Sequence, residues 1–121
     1  MIPQRTLLVI SLLLIVCETF AHTLLESSAP VANARADAPV EEIVLEFADA
    51  VRLTAVTLSD ASAASKALGA VPTDTAARFV IDVREPLAAG EYVITWRAVG
   101  ADTHVVSGEI PFRVLGKAHA R

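Results

Sequence analysis

The 121-residue chain is long enough for one folded domain and too short for two. It carries 10 Lys and Arg against 14 Asp and Glu, a net charge of -4, with no cluster of basic residues. That composition excludes a nucleic-acid binder, which needs a positive face for phosphate, and a protein held to membrane surfaces by charge.

The chain opens with a leader. Arg5 and the free amino group form a small positive region, and Leu7 to Cys17 is an apolar run broken only by Ser11. Thr19-Phe20-Ala21 then sets small residues at the first and third positions before His22. This pattern predicts a secretory signal peptide over residues 1–21, cut after Ala21. The apolar run is well short of the roughly 20 residues that span a bilayer. An uncleaved anchor is the alternative. A lipid-modified Cys17 would call for a small residue before it, and Val16 stands there. Cleavage leaves 100 residues, His22 to Arg121, with 9 basic and 13 acidic side chains and the same net charge. Cys17 and Met1, the only sulfur-bearing residues, leave with the leader. The mature chain then has no disulfide, although it travels to an oxidising compartment, and no soft sulfur ligand for a metal.

The mature region reads as short strands between turns. Thr23 to Ser27 is a short edge strand, and Ser28 to Pro39 is a loop rich in Ala, Pro and polar residues. Val40 to Phe47 alternates with period two, placing Ile43, Leu45 and Phe47 on one side. Leu53 to Leu58 is rich in β-branched residues. Asp60 to Gly69 fits a helical turn or a loop. Phe79, Ile81 and Val83 mark a further strand, closed by Pro86. The clearest strand is Glu91 to Val99, with Tyr92, Ile94, Trp96 and Ala98 on one face. Ile110, Phe112 and Val114 form the last, where Pro111 predicts an edge strand or an outward-facing nitrogen. Lys117 to Arg121 reads as a loose tail. The series predicts an all-β fold, an immunoglobulin-like or cupredoxin-like antiparallel β-sandwich of about seven strands with Trp96 in its core. A small β-barrel is the competing architecture.

Three histidines remain after cleavage: His22, His104 and His119. A free N-terminal His22 offers a metal its α-amine and its ring together, a chelate that no internal histidine can form. Asp102-Thr103-His104 follows the strand of Trp96. On an extended backbone, residues two apart point the same way, so Asp102 and His104 would present an oxygen and a nitrogen to one point. Amine, two imidazoles and a carboxylate make an N3O set that favours tetragonal Cu(II), and the lack of sulfur disfavours Cu(I). The plainer readings are an accidental terminal histidine, an Asp102 that caps a turn, and a surface or core His104. His119 sits in the tail and receives no role. Ser107, His104 and Asp102 lie too close in sequence for the usual triad geometry, no nucleophile elbow is present, and Glu41-Glu42 point to opposite faces.

Four segments resemble the CopC family of periplasmic copper-resistance proteins. These are His22 after the cleavage site, Glu26-Ser-Ser-Ala-Pro30, Pro86-Leu-Ala-Ala-Gly90-Glu-Tyr92-Val-Ile-Thr-Trp96, and Gly100-Ala-Asp102-Thr-His104 with Ser107-Gly108. The resemblance implies a seven-stranded sandwich over residues 22–116, outside the cytoplasm, holding one Cu(II) per chain through His22, Asp102 and His104. It implies Asp49, after Phe47-Ala48, as a fourth or axial ligand. The methionine-rich Cu(I) loop of some members is absent, since Ala61 to Leu68 stands there without methionine. Copper buffering, delivery or resistance by a monomer is the implied function, with a membrane copper importer of the CopD type as a partner. The competing readings are a copper-dependent oxidative enzyme with a histidine brace and a metal-free sandwich acting as an interaction module.

Overall fold

A computed structural model describes residues 24–116. The expected signal peptide and cleavage site, with His22, Thr23, His119 and the expected tail from Lys117, lie outside the described residues. The described chain is all β, without a helix. Its strands are β1 (Leu25–Ala29), β2 (Ala34–Ala36), β3 (Glu42–Asp60), β4 (Ala76–Asp82), β5 (Gly90–Val99) and β6 (Val105–Val114).

The organising element is β3. Its first part, Glu42 to Glu46, runs between β1 and β4, antiparallel to both. Its second part, Arg52 to Asp60, pairs with β5 instead. β5 pairs along its whole length with β6, and β6 pairs in parallel with the short β2. The change of partner falls where the register slips between Glu46 and Val51. One strand thus feeds two layers, and the layers close on each other to form the sandwich. The expected strands Val40 to Phe47 and Leu53 to Leu58 are these two parts of β3, and with β2 added the described residues hold six strands. Nothing between Phe47 and Leu53 breaks the chain, because Asp49 and Ala50 stay extended through the switch.

The alternating side chains fill the space between the layers. Ile43, Leu45, Phe47, Phe79, Ile81, Tyr92, Ile94, Trp96, Ala98, Ile110 and Phe112 are all buried. Phe47, just before the switch, packs edge-on to Phe79 of its own layer at 5.9 Å and to Trp96 of the other at 5.3 Å. Such T-shaped contacts suit the ring quadrupoles. Trp96 is 2% exposed, as its place in the pattern predicts.

Two further expectations are corrected, and one open alternative is decided. The loop from Ser28 to Pro39 contains β2, whose three residues are too few for a pattern to show. The last strand starts at Val105 rather than Ile110, because Ser107 and Gly108 pair with Arg97 and Trp96 despite their weak strand propensity. Asp60 to Gly69 is a pinned loop and not a helical turn. Asp60 Oδ1 accepts from the Ser62 and Ala64 backbone N–H groups and the Ser62 hydroxyl, at 2.9, 3.0 and 2.7 Å. Lys66 Nζ adds an ion pair at 3.3 Å. The strand of Pro111 is not at an edge, since β6 lies between β5 and β2, and the Pro111 carbonyl accepts from Asn33 at 2.6 Å on the β2 side.

Candidate metal centre

Val99 pairs with Val105, so Gly100 to His104 closes the β5–β6 hairpin as a five-residue loop. Inside it, Gly100 N–H donates to the His104 carbonyl at 3.0 Å, and Thr103 N–H to the Gly100 carbonyl at 3.0 Å. Thr103 takes a left-handed backbone, with φ of 66°. The loop is therefore bent where an extended path was expected. Asp102 and His104 meet because the chain folds between them, not because alternate residues share a face.

The meeting is direct. Asp102 Oδ2 lies 2.7 Å from His104 Nδ1, and Asp102 Oδ1 accepts the His104 backbone N–H at 3.1 Å. The side chains stay open to solvent, 67% exposed for Asp102 and 81% for His104. The hydrogen bond from Asp102 and then its charge raise the His104 pKa above the ordinary 6.5. The His104 ring, followed by the His104 backbone N–H, holds the Asp102 carboxyl below its ordinary value. With Nδ1 engaged, Nε2 is the ring atom that can coordinate a metal. The arrangement is the carboxylate–histidine pairing that orients metal-binding imidazoles. Each Asp102 oxygen keeps a further lone pair, but a metal on Nε2 lies on the ring edge away from Asp102, so the carboxylate ligates the same ion only where its bond to Nδ1 opens.

The surroundings place other expected residues relative to this pair. Leu24, the first described residue, accepts the Ala48 N–H at 2.7 Å. Asp49 follows in β3 and is exposed. Ala50 and Arg52 then line a cleft of about 240 Å³ together with Val99, Gly100 and Thr103 of the hairpin. The β3 switch thus shares a cleft with the hairpin loop, and the start of the described chain is bonded to β3 two residues before Ala50. Among the described residues, no group of three His, Cys, Asp or Glu comes together as a metal site. The structure joins Asp102 with His104 but does not draw Asp49 into a three-residue cluster with them. His22 lies outside the described residues.

Two loop residues have roles that the sequence reading does not assign them. Gly100 reads as a strand terminator, yet a methyl group there would come 3.1 Å from Asp102 Oδ1, so it also makes room for the carboxylate. Thr103 stands within the Asp102-Thr103-His104 segment, but its left-handed backbone has no signal in residue type, because a β-branched residue is among the poorest candidates for positive φ.

Comparison with known proteins gives one family. The family model described as the CopC domain matches residues 25–115. The chain is 38% identical over 108 residues to copper resistance protein C of Escherichia coli, covering 78% of this chain and 82% of that protein. It is 31% identical over 102 residues to copper resistance protein C of Pseudomonas syringae pv. tomato, covering 78% and 81%. Among solved structures, PcoC, a methionine-rich copper resistance protein from Escherichia coli, superposes with a TM-score of 0.62 at 34% identity, covering 75% of this chain and 96% of PcoC. CopC from Methylosinus trichosporium OB3b gives 0.68 at 21% identity, covering 81% and 98%, a likeness of fold.

Proposed function

Because the chain belongs to the CopC family, we propose that it is an exported copper-binding protein that holds one Cu(II) for buffering, delivery or resistance. The observation that carries this reading is the exposed Asp102–His104 pair, bonded at 2.7 Å on a hairpin loop that shares a cleft with the β3 switch. Cleavage after Ala21 supplies the remaining donors, the amine and ring of His22. His22 is two positions before Leu24, whose carbonyl is anchored to Ala48; that is about 7 Å of extended chain. The donors are then the His22 amine, the His22 ring, a His104 ring nitrogen and an Asp102 oxygen, with Asp49 as an axial candidate, and the Asp102–His104 hydrogen bond opens when both residues bind one ion.

The donor chemistry supports Cu(II) over Cu(I). Nitrogen and oxygen suit the tetragonal divalent ion, whereas the monovalent ion prefers sulfur. PcoC is a methionine-rich relative, but this chain has one methionine and one cysteine, Met1 and Cys17, both within the predicted leader. The metal is cargo rather than a catalytic centre in this reading. Phe47, Phe79, Tyr92, Trp96 and Phe112, the aromatics of the described residues, are all buried, which leaves no aromatic platform there for a polysaccharide. A membrane copper importer of the CopD type is the proposed recipient where copper is passed on, and the proposed working form is a periplasmic monomer.

The test starts from the exported protein, with its N-terminal residue read by mass spectrometry. Cu(II) titration of that species should saturate at one ion per chain. A Gly-Ser extension before His22 should weaken binding sharply, since the amine moves off the ring. Equal affinity with and without the extension would overturn the N-terminal chelate.

A further inference from the structure

We infer that Thr103 is a positioning residue, whose left-handed backbone and hydroxyl hold Asp102 and His104 together before any metal arrives. The role rests on the copper reading above, but its structural half stands on the metal-free loop. Thr103 has φ of 66°, a region that β-branched residues rarely enter. Such outliers persist only where surrounding contacts fix them, and they cluster at functional sites.

Here the fixing contacts are visible. The Thr103 N–H donates to the Gly100 carbonyl at 3.0 Å, and the Thr103 hydroxyl donates to the Asp102 carbonyl at 2.5 Å. The first bond closes the turn on the strand β5 side. The second ties the residue to the peptide just before it. Between them, the reversed φ at Thr103 turns the His104 N–H back toward Asp102 Oδ1, 3.1 Å away, and carries Nδ1 to Oδ2. With an ordinary negative φ at Thr103, His104 would leave along the strand direction and the two side chains would part. The hydroxyl makes no bond to either metal-binding side chain, so its influence on them is indirect.

A glycine would enter the left-handed region without strain, yet it would enter many other regions as readily. Thr103→Gly should therefore loosen the site without unfolding the protein. Thr103→Ala should keep the Cβ and lose the hydroxyl bond, and Thr103→Ser should restore that bond.

The decisive measurement is amide hydrogen exchange of the metal-free protein, followed residue by residue. His104 N–H should exchange several-fold faster in Thr103→Ala and Thr103→Gly, with the amides of β5 and β6 unchanged, and Thr103→Ser should return it to the parent rate. A purely structural role would change the strand amides as well, and serine would not specifically rescue His104. Cu(II) affinity should fall several-fold in the alanine and glycine variants and recover in serine. Parent-like exchange at His104 in Thr103→Ala would overturn the inference. Failure of the parent to bind Cu(II) would instead overturn the copper reading, and the exchange result would still decide the role of Thr103 in the loop.

Discussion

Asp102 holds His104 twice, through its ring at 2.7 Å and through its backbone N–H at 3.1 Å. The double contact fixes which ring nitrogen a metal can reach, and it sets how strongly protons compete for the ring. His104 has a raised pKa, so its contribution to folding is fully present below 6.5 and is lost as pH climbs through the raised value. Asp102 has a lowered pKa, so its contribution is present above 3.8 and is lost as pH falls through the lowered value. Copper needs the neutral imidazole, so the pair also shifts the onset of binding to higher pH. Asp102→Asn should move the His104 midpoint down toward 6.5. An imidazole-detected NMR titration of the metal-free protein reads this directly, and an unchanged midpoint would show that Asp102 does not govern the ring.

Gly108 is the close neighbour of the buried indole. A methyl group on it would lie 2.8 Å from the Trp96 ring, well inside contact distance. Neither partner has room to give, because Trp96 is 2% exposed and already wedged against Phe47 at 5.3 Å. Gly108→Ala should destabilise the fold by about 1 to 3 kcal/mol, the usual range for overpacking. Urea unfolding followed by the fluorescence of the single tryptophan measures it, and a parent-like midpoint would mean that β6 can move away from the ring.

Much of this was legible in the sequence, for identifiable reasons. Period-two alternation marks Ile43, Leu45 and Phe47, and Tyr92, Ile94, Trp96 and Ala98, and all of these are buried. Alternation reports which face a side chain takes, but not which strand lies beside it. It therefore split β3 in two, although its sheet switch near Asp49 and Ala50 is made by a change of partner and not by a break in the chain. The Asp102–His104 pair was legible as a pair, because the residue types and the spacing suffice for that. Its geometry was not, since the bend depends on Thr103 at φ of 66°, which residue type argues against.

Asp60 makes the loop after β3 sensitive to acid. Its hydrogen bond from the Ser62 hydroxyl comes first, with the Ala64 N–H and Lys66 adding to it, and together they lower its pKa from 3.8 to about 2. A lowered folded-state pKa gives stability that is present above 3.8 and fades as pH falls toward about 2. Asp60→Asn should therefore be less stable than the parent at neutral pH. The gap should narrow below about pH 4 and close near about pH 2. Urea midpoints of both proteins across that range test the point, and a gap that does not change with pH would assign the effect to lost packing rather than charge.

Asp49 separates a ligand of the metal from a bystander on the same end of the sandwich. It is exposed, it follows the Ala48 that anchors Leu24, and Ala50 beside it lines the cleft shared with Gly100 and Thr103. It is nonetheless outside any three-residue cluster with Asp102 and His104 among the described residues. An axial carboxylate on tetragonal Cu(II) binds more weakly than the equatorial donors. The three substitutions should therefore rank in their effect on Cu(II) affinity. His104→Ala removes an imidazole and should cost most. Asp102→Ala removes an oxygen donor and frees the ring, and should cost on the order of 10- to 100-fold, the range seen when a carboxylate that orients a metal-bound histidine is lost. Asp49→Ala should cost less than either and leave the folding midpoint unchanged, because its side chain packs against nothing in the core. Competition titration with a Cu(II) chelator gives the ranking, and electron paramagnetic resonance of the loaded variants separates axial from equatorial loss. If Asp49→Ala matched Asp102→Ala in affinity, Asp49 would be an equatorial ligand, and copper would have to draw the β3 switch toward the hairpin on binding.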